Sequence, residues 1–324
     1  MAAPPAAFLD ASDASVQAQW AALVARSPQA SPFATLAFAR AVAGMLGYPF
    51  RLAGVVDGGV IRAGAILFER RLGPYRRAVV PPLTVYSPLL LDAPPRAADV
   101  HARRSALDGL LAFLADHYPV LAFHLHPSMA DVRPFVWAGY RARPLYTYQR
   151  PLAPREVLLR EASKGTRKRA EREGGRYRIE EGDHAEALAA LVEASYARHD
   201  AEAPLDPARR TAFLRRLRAD GLARLYAAHG ADGPAAAQAL LTHGPAAFAL
   251  TGASRPGPAM SVLLMELMAL LHDEGFEYLD LVGANTPSIA EFKRSFAPRL
   301  TPYYRVERIG PAALRLLHAV RPLA

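Results

Sequence analysis

The 324 residues carry 39 Lys and Arg against 30 Asp and Glu, a formal net charge of +9, with 52% hydrophobic and 21% charged residues. This is the make-up of a globular chain with room for two domains, and it excludes collagen-like and extensively disordered classes. The lack of cysteine excludes disulfides, thiolate metal sites, iron–sulfur clusters and a cysteine nucleophile, while the basic balance favours anionic partners such as phosphorylated cofactors, tRNA or acidic membrane surfaces.

Met1 to Asp10 has no basic region leading into an apolar one and does not read as a signal peptide. The most apolar helix-like run, Met260 to Leu271, contains Glu266 and at about 12 residues is too short for a bilayer. A cytoplasmic location is therefore expected. In chain order, helices are predicted over Val16 to Arg26 and Thr35 to Leu46. Strands Arg51 to Val56 and Val60 to Glu69 follow, joined by the turn Asp57-Gly58-Gly59. Val79 to Leu91 is interrupted by Pro81, Pro82 and Pro88 and reads as an irregular edge or pocket wall. A helix from Arg103 to His117, a strand Val120 to His126, a short helix Asp131 to Trp137 and a strand Leu145 to Gln149 complete the first half.

The second half opens with one basic helix, Glu156 to Glu173, ended by Gly174-Gly175. Strand Arg176 to Glu181, helices Ala185 to His199 and Pro207 to Asp220, and a hairpin of Leu222 to His229 with Ala236 to Thr242 come next. Then follow strand Ala246 to Thr251, helix Met260 to Glu274, strand Glu277 to Val282, helix Pro287 to Phe296 and strand Pro302 to Glu307. The order is mixed α/β, suited to a twisted sheet covered by helices. A shift of 157 residues lays Phe135 on Phe292, Tyr146 on Tyr303 and the strand around Phe123 on the strand around Asp280, so a duplicated domain is expected.

No Gly-x-Ser-x-Gly elbow, His-Glu-x-x-His pair, Walker loop or helix-opening Gly-x-Gly-x-x-Gly occurs. His124 and His126 share one strand face, a spacing suited to a metal, but no third ligand accompanies them and no metal site is assigned. Asp280 to Lys293 is the most informative stretch. Only three basic residues are lysine, Lys164, Lys168 and Lys293, so a compact ammonium stands at position 293 in a chain that otherwise uses guanidinium. In Gly283-Ala284-Asn285-Thr286-Pro287, small residues let backbone approach a ligand, and Asn285 or Thr286 caps a helix with Pro287 in its first turn. Such a helix start at a sheet edge is a usual ligand location, although simple capping explains the same residues. Lys293 lies two turns along, with a stem long enough to reach back to a carbonyl oxygen or phosphate. In the basic helix, Arg160, Lys164, Arg167 and Lys168 fall near one face. They form either a phosphate-binding ridge, with tRNA the natural polyanion, or a solvated face paired with Glu161, Glu171 and Glu173.

Gly275-Phe276, Asp280 and Gly283, then Phe292-Lys293 and Phe296, then Tyr303-Tyr304 together resemble the C-terminal part of Fem-type aminoacyltransferases and the related acetyltransferases of the GNAT superfamily. Ser31-Pro32-Phe33, Pro81 to Tyr86, Asp131 to Trp137, and Tyr146-Thr147-Tyr148 ahead of Ser163 and Arg167 extend the resemblance over nearly the whole chain. It implies an α/β (α+β) fold of two tandem GNAT-like domains, residues 1–150 and 151–324, each a mixed, mostly antiparallel twisted sheet flanked by helices, with the active cleft mainly in the second.

The implied activity is transfer of an acetyl or aminoacyl group from acyl-CoA or aminoacyl-tRNA to an amine, with no permanently bound cofactor. The acceptor would be an amine-bearing molecule such as a peptide or cell-wall precursor. Direct attack needs a deprotonated amine, a donor for the oxyanion and an acid for the leaving group. Lys293, on the family's functional lysine, or amides near Thr251 to Ala253 would serve the oxyanion. Tyr303 or Tyr304 would protonate the leaving group or simply pack, and Asp280 would act as base or fix the turn. Gly283, Asn285, Thr286, Lys164 and Arg167 are the donor-binding candidates. Two departures stand out: Ala297 replaces the family's glycine, and Ser254 to Ala259 only distantly echoes the acyl-CoA signature. Two further readings are a non-catalytic protein of this fold that holds tRNA or another polyanion, and a peripheral protein resting a helix, Ala312 to Val320, on a membrane.

Overall fold

The computed structural model describes residues 5–73, 75–93 and 100–310; the helix expected over Ala312 to Val320 lies outside them. The first half contains strand β1 (Ala6–Leu9), helix α1 (Ala14–Arg26), helix α2 (Leu36–Ala41), β2 (Phe50–Asp57), β3 (Val60–Leu72), β4 (Tyr75–Val79), β5 (Leu89–Leu91), α3 (Val100–His117), β6 (Val120–His124), α4 (Arg133–Trp137) and β7 (Arg141–Pro151). The second contains α5 (Arg155–Glu161), α6 (Lys164–Glu173), β8 (Arg178–Glu181), α7 (Ala185–Ala197), α8 (Pro207–Ala219), β9 (Ala223–Gly230), β10 (Gly233–His243), β11 (Ala246–Ser254), α9 (Ala259–Asp273), β12 (Tyr278–Asp280), α10 (Pro287–Arg294) and β13 (Arg299–Ile309).

Local chemistry sets these boundaries. Asp13 caps α1 by accepting from the Val16 amide at 2.9 Å, and Thr35 caps α2 through the Phe38 amide. Gly58 and Gly59, both with positive φ, turn β2 into β3. Trp20 of α1 packs over β3 where Gly64 leaves space; a Cβ there would stand 2.6 Å from the indole. The indole N–H donates to the Ala34 carbonyl at 2.8 Å, so the buried ring has its one polar atom satisfied.

The chain divides into two compact units, Met1–Leu145 with Pro302–Ala324, and Tyr146–Thr301. In the first, β1 to β4 pair antiparallel in sequence order, β4 pairs β6 parallel, and β6 pairs antiparallel with Arg305 to Ile309 of β13. In the second, β8 to β11 pair antiparallel in the same way, β11 pairs β12 parallel, and β12 pairs antiparallel with Gln149 to Pro151 of β7. The two units thus repeat one topology, and the 157-residue shift carries β6, α4 and β7 onto β12, α10 and β13. The division expected between residues 150 and 151 is replaced by this one because the closing strand of each sheet comes from the other repeat.

Another correction concerns the helix expected over Glu156 to Glu173. It is two helices, α5 and α6, because Ala162 and Ser163 are extended (ψ 154 and 150) and Ser163 caps α6 by accepting from the Thr166 amide. Arg160 therefore leaves the cationic face that Lys164, Arg167 and Lys168 keep. In the second unit, α9 is buried through Val262, Leu263, Leu264, Met265, Leu267, Met268 and Leu271. Each such side chain stabilises the fold by about 1.5–3 kcal/mol. Its mid-helix carboxylate, Glu266, meets Arg155 in a forked ion pair at 2.7–3.1 Å. Among the described residues, no helix is long and apolar enough to cross a membrane.

Candidate active site

In the second unit, β11 and β12 pair only from Ala246 with Tyr278 to Phe248 with Asp280. Beyond that point β11 runs on to Ser254 while β12 ends, which opens a wedge between them. Along β11 the register slips: Thr251 faces Ala239 and Ala249 faces Leu240, so Leu250 bulges. The buried Gln238 side chain lies at this bulge and donates to the carbonyls of Ala239 and Thr251, both at 2.9 Å. Gly252 faces it, and a Cβ there would stand 2.1 Å from the Gln238 Oε1. The sequence reading ended the strand at Thr251 and passed over the bulge. A glycine with strand on both sides was the available signal.

The other side of the wedge is a strained turn. Val282 and Gly283 have φ of 42° and 56°, and for a β-branched residue this region is strongly disfavoured. Asp280, fully buried, holds the turn from one side. Its Oδ1 accepts from the Val282 amide at 2.9 Å and the Thr147 hydroxyl at 2.5 Å, and its Oδ2 accepts from the Gln149 amide at 3.3 Å. Lys293 holds it from the other, its Nζ donating to the carbonyls of Val282 and Gly283, the latter at 3.0 Å. Carboxylate on the N–H side and ammonium on the C=O side fix the Val282 peptide in a conformation its side chain opposes. Burial pushes the Lys293 ammonium down to about 8, against the raising influence of the Asp280 charge.

The expected cap of α10 takes a different form. Thr286 is at the N-cap position without a side-chain bond, and Pro287 begins the helix. Asn285 instead pairs with β7, its Oδ1 accepting from the Tyr146 amide at 2.8 Å and its Nδ2 donating to the Tyr146 carbonyl at 3.2 Å. At its far end, α10 is tied to the start of α6: the Thr166 hydroxyl donates to Ser295 Oγ at 2.7 Å, and the Ser163 amide to the Ser295 carbonyl at 2.8 Å. The helix bearing Lys164 and Arg167 is thereby joined to the helix bearing Lys293. Thr166 and Ser295, which make this joint, went unnoticed because neither belongs to a motif. Of the acids suggested as partners for the α6 cations, Glu161 is engaged by Arg150 at 2.6 Å and Glu173 by Arg176 at 2.7 Å.

Asp280, Gly283, Asn285 and Lys293 are thus brought together, and Asp280 takes a holding role: with both oxygens accepting inside the core, it is not placed to act as a base. Tyr303 and Tyr304 belong to the first unit. Tyr303 is buried edge-on to Tyr86 and His124, with centroids at 5.4 and 6.1 Å. Tyr304 packs on the first unit's core and its carbonyl accepts from the Leu125 amide. Both tyrosines are thus seated in the packing of the first unit, not beside Lys293 in the second. Burial, reinforced by the nearby Arg305, lowers His124 to about 4 and keeps it neutral.

Ala297 sits just past α10 with a φ of 54°, and its carbonyl accepts from the buried Arg150 at 3.1 Å. A side chain is disfavoured in that region, whereas glycine enters it freely. Ala297→Gly should therefore raise stability by about 0.5–1 kcal/mol once the greater freedom of glycine in the unfolded chain is counted. Urea denaturation of the two proteins measures this.

Known proteins resemble this chain in sequence and in fold. Residues 157–294 match the family model described as an acetyltransferase (GNAT) domain. A crystal structure of FemX superposes with a TM-score of 0.71 at 12% identity, covering 94% of this chain and 98% of that one. A tandem GNAT protein from the clavulanic acid biosynthesis pathway gives 0.57 at 16%, covering 95% and 99%. The C-terminal domain of a putative lysylphosphatidylglycerol synthetase from Agrobacterium fabrum gives 0.56 at 15%, covering 94% of each chain. These likenesses show the fold. A search of curated protein sequences finds no match.

Proposed function

Proceeding from a chain whose residues 157–294 match a GNAT acetyltransferase domain, we propose that this protein is an N-acyltransferase acting at the wedge between β11 and β12. The clamped Val282–Gly283 turn at the mouth of that wedge carries the reading. Strain of this kind persists only where surrounding structure over-determines it, and it collects at sites that position a ligand.

The acceptor amine, deprotonated, attacks the acyl carbonyl. A C–N bond forms, the C–S bond of a thioester or the C–O bond of an aminoacyl ester breaks, and the proton given up by the nitrogen is taken by the departing sulfur or oxygen, which leaves as a free thiol or hydroxyl. An ammonium has three donors. Two of those on Lys293 hold the turn, and the third is assigned to the acyl oxygen as charge develops on it. The bulged backbone of β11 from Ala249 to Ser254 supplies amides on the opposite wall. Asp280, Thr147 and Gln149 position the turn, and Asn285 and Thr286 shape the approach to it. An amine-bearing acceptor, such as a peptide or cell-wall precursor, suits this chemistry.

The donor is an acyl-CoA or an aminoacyl-tRNA, and salt dependence separates them. The charged face of α6, with Lys164 and Arg167 joined to the Lys293 helix through Thr166 and Ser295, favours a long polyanion. Should the donor be aminoacyl-tRNA, its affinity falls steeply with salt, and Lys164→Gln/Arg167→Gln flattens the log–log slope by about one unit for each phosphate left without its cation. A shallow slope unaffected by the double variant assigns the donor to the CoA class. Tight tRNA binding without any transfer would point to the non-catalytic reading instead.

A further inference from the structure

In the first unit, β3 and β4 form a hairpin whose register sets Arg70 opposite Arg77 and Arg71 opposite Arg76. Like charges directly across antiparallel strands repel, and successive pairs point to opposite faces, so one arginine pair on each face works against the hairpin that carries them. Little offsets them. Glu69 accepts from Arg76 at 2.8 Å, but the same carboxylate also accepts from the Tyr118 hydroxyl at 2.6 Å. Among the described residues, no carboxylate lies within ion-pair distance of Arg70 or Arg71. The Arg70 guanidinium carbon stands over the Tyr48 ring, 3.9 Å from its centre, and the Arg77 Nε is buried without a hydrogen-bond partner. Beside the hairpin is a cavity of about 420 Å³ lined by Pro49, Glu69, Arg70, Arg71 and Arg76.

We propose that this cavity binds a compact ligand carrying adjacent phosphates, a pyrophosphate group, which neutralises the facing arginines. Planar guanidiniums a strand spacing apart match neighbouring phosphate oxygens in the forked geometry that lysine cannot offer. The volume of about 420 Å³ and the cross-strand pairing of Arg71 with Arg76 favour a compact group over an extended phosphodiester strand, whose charges lie farther apart. This site stands apart from the acyl-transfer reading and does not depend on it.

Calorimetric titration of the full chain with inorganic pyrophosphate, orthophosphate and a single-stranded oligoribonucleotide tests it. Pyrophosphate should bind at least about tenfold tighter than orthophosphate, and Arg71→Gln or Arg70→Gln should weaken it about tenfold or more. Lys293→Met should bind it as the parent does. Without ligand, Arg71→Gln should melt at or above the parent's temperature, because a repulsive pair is removed; an arginine with only a structural role would lower it. Absence of pyrophosphate binding, binding indifferent to both variants, or arginine-dependent binding of the oligonucleotide alone would each overturn the proposal.

Discussion

Lys293→Met is expected to lower acyl transfer by about 10²- to 10³-fold while the chain stays folded, the loss typical of removing one preorganised donor to a developing oxyanion. Folding should survive because two effects oppose one another. The variant loses the bonds to the Val282 and Gly283 carbonyls, but it also removes an ammonium whose burial costs the charged form roughly 3 kcal/mol, the free-energy equivalent of a drop from 10.5 to about 8. The linkage sign follows from the same drop. Between about pH 8 and the ordinary lysine value the unfolded chain holds a proton that the folded chain releases, so stability rises with pH across that window, and Lys293→Met abolishes the rise. Circular dichroism alongside a labelled-acyl assay measures both consequences, and full activity in a folded variant would remove Lys293 from the chemistry.

Asp280→Ala should be the most destabilising single change in the second unit, by about 3–5 kcal/mol. It strands the Thr147 hydroxyl, the Val282 amide and the Gln149 amide in a core where Asp280 and Thr147 are fully buried. Asp280→Asn keeps the shape and one acceptor oxygen, and should cost about 1–3 kcal/mol. This milder variant carries the more telling readout. Because the Asp280 charge raises Lys293, its loss lets Lys293 titrate lower still, and any activity that needs the ammonium should fade at lower pH than in the parent. Urea denaturation gives the first quantity and a pH series of transfer rates the second. A purely structural Asp280 would change stability and leave the pH series unmoved.

The contrast between what was legible in the sequence and what was not follows the range of the interactions. Periodicity and turn residues are local, so the element order and the repeat relating β6, α4 and β7 to β12, α10 and β13 could be read directly. Lys293 stood out because lysine is rare in this chain, and Ala297 because a side chain occupies a position where the Fem-type pattern that the sequence resembles has glycine. The exchange of β7 and β13 between the units was not legible, because hydrogen bonding across residues far apart in sequence leaves no local pattern. The same holds for Asp280, whose partner Thr147 lies 133 residues away, and for Asn285, which bonds Tyr146 across 139 residues when local chemistry would have it cap α10. The break in the basic helix at Ala162-Ser163 was misread for a related reason. The break gains the joint of Thr166 to Ser295, which is 129 residues distant.

The pH dependence of single-turnover acyl transfer tests the central claim most directly, namely that the buried ammonium of Lys293 acts at the wedge between β11 and β12. Lys293 is protonated below about 8 and neutral above it, while the acceptor amine gains reactivity as it loses its own proton, so the account predicts a parent rate that falls relative to that of Lys293→Arg as pH rises through that value. The same falling limb should be absent from whatever residual activity Lys293→Arg retains, since a guanidinium keeps its charge throughout. A parent-to-variant ratio that stays level or climbs through pH 8, or a falling limb that persists unchanged in Lys293→Arg, would contradict it.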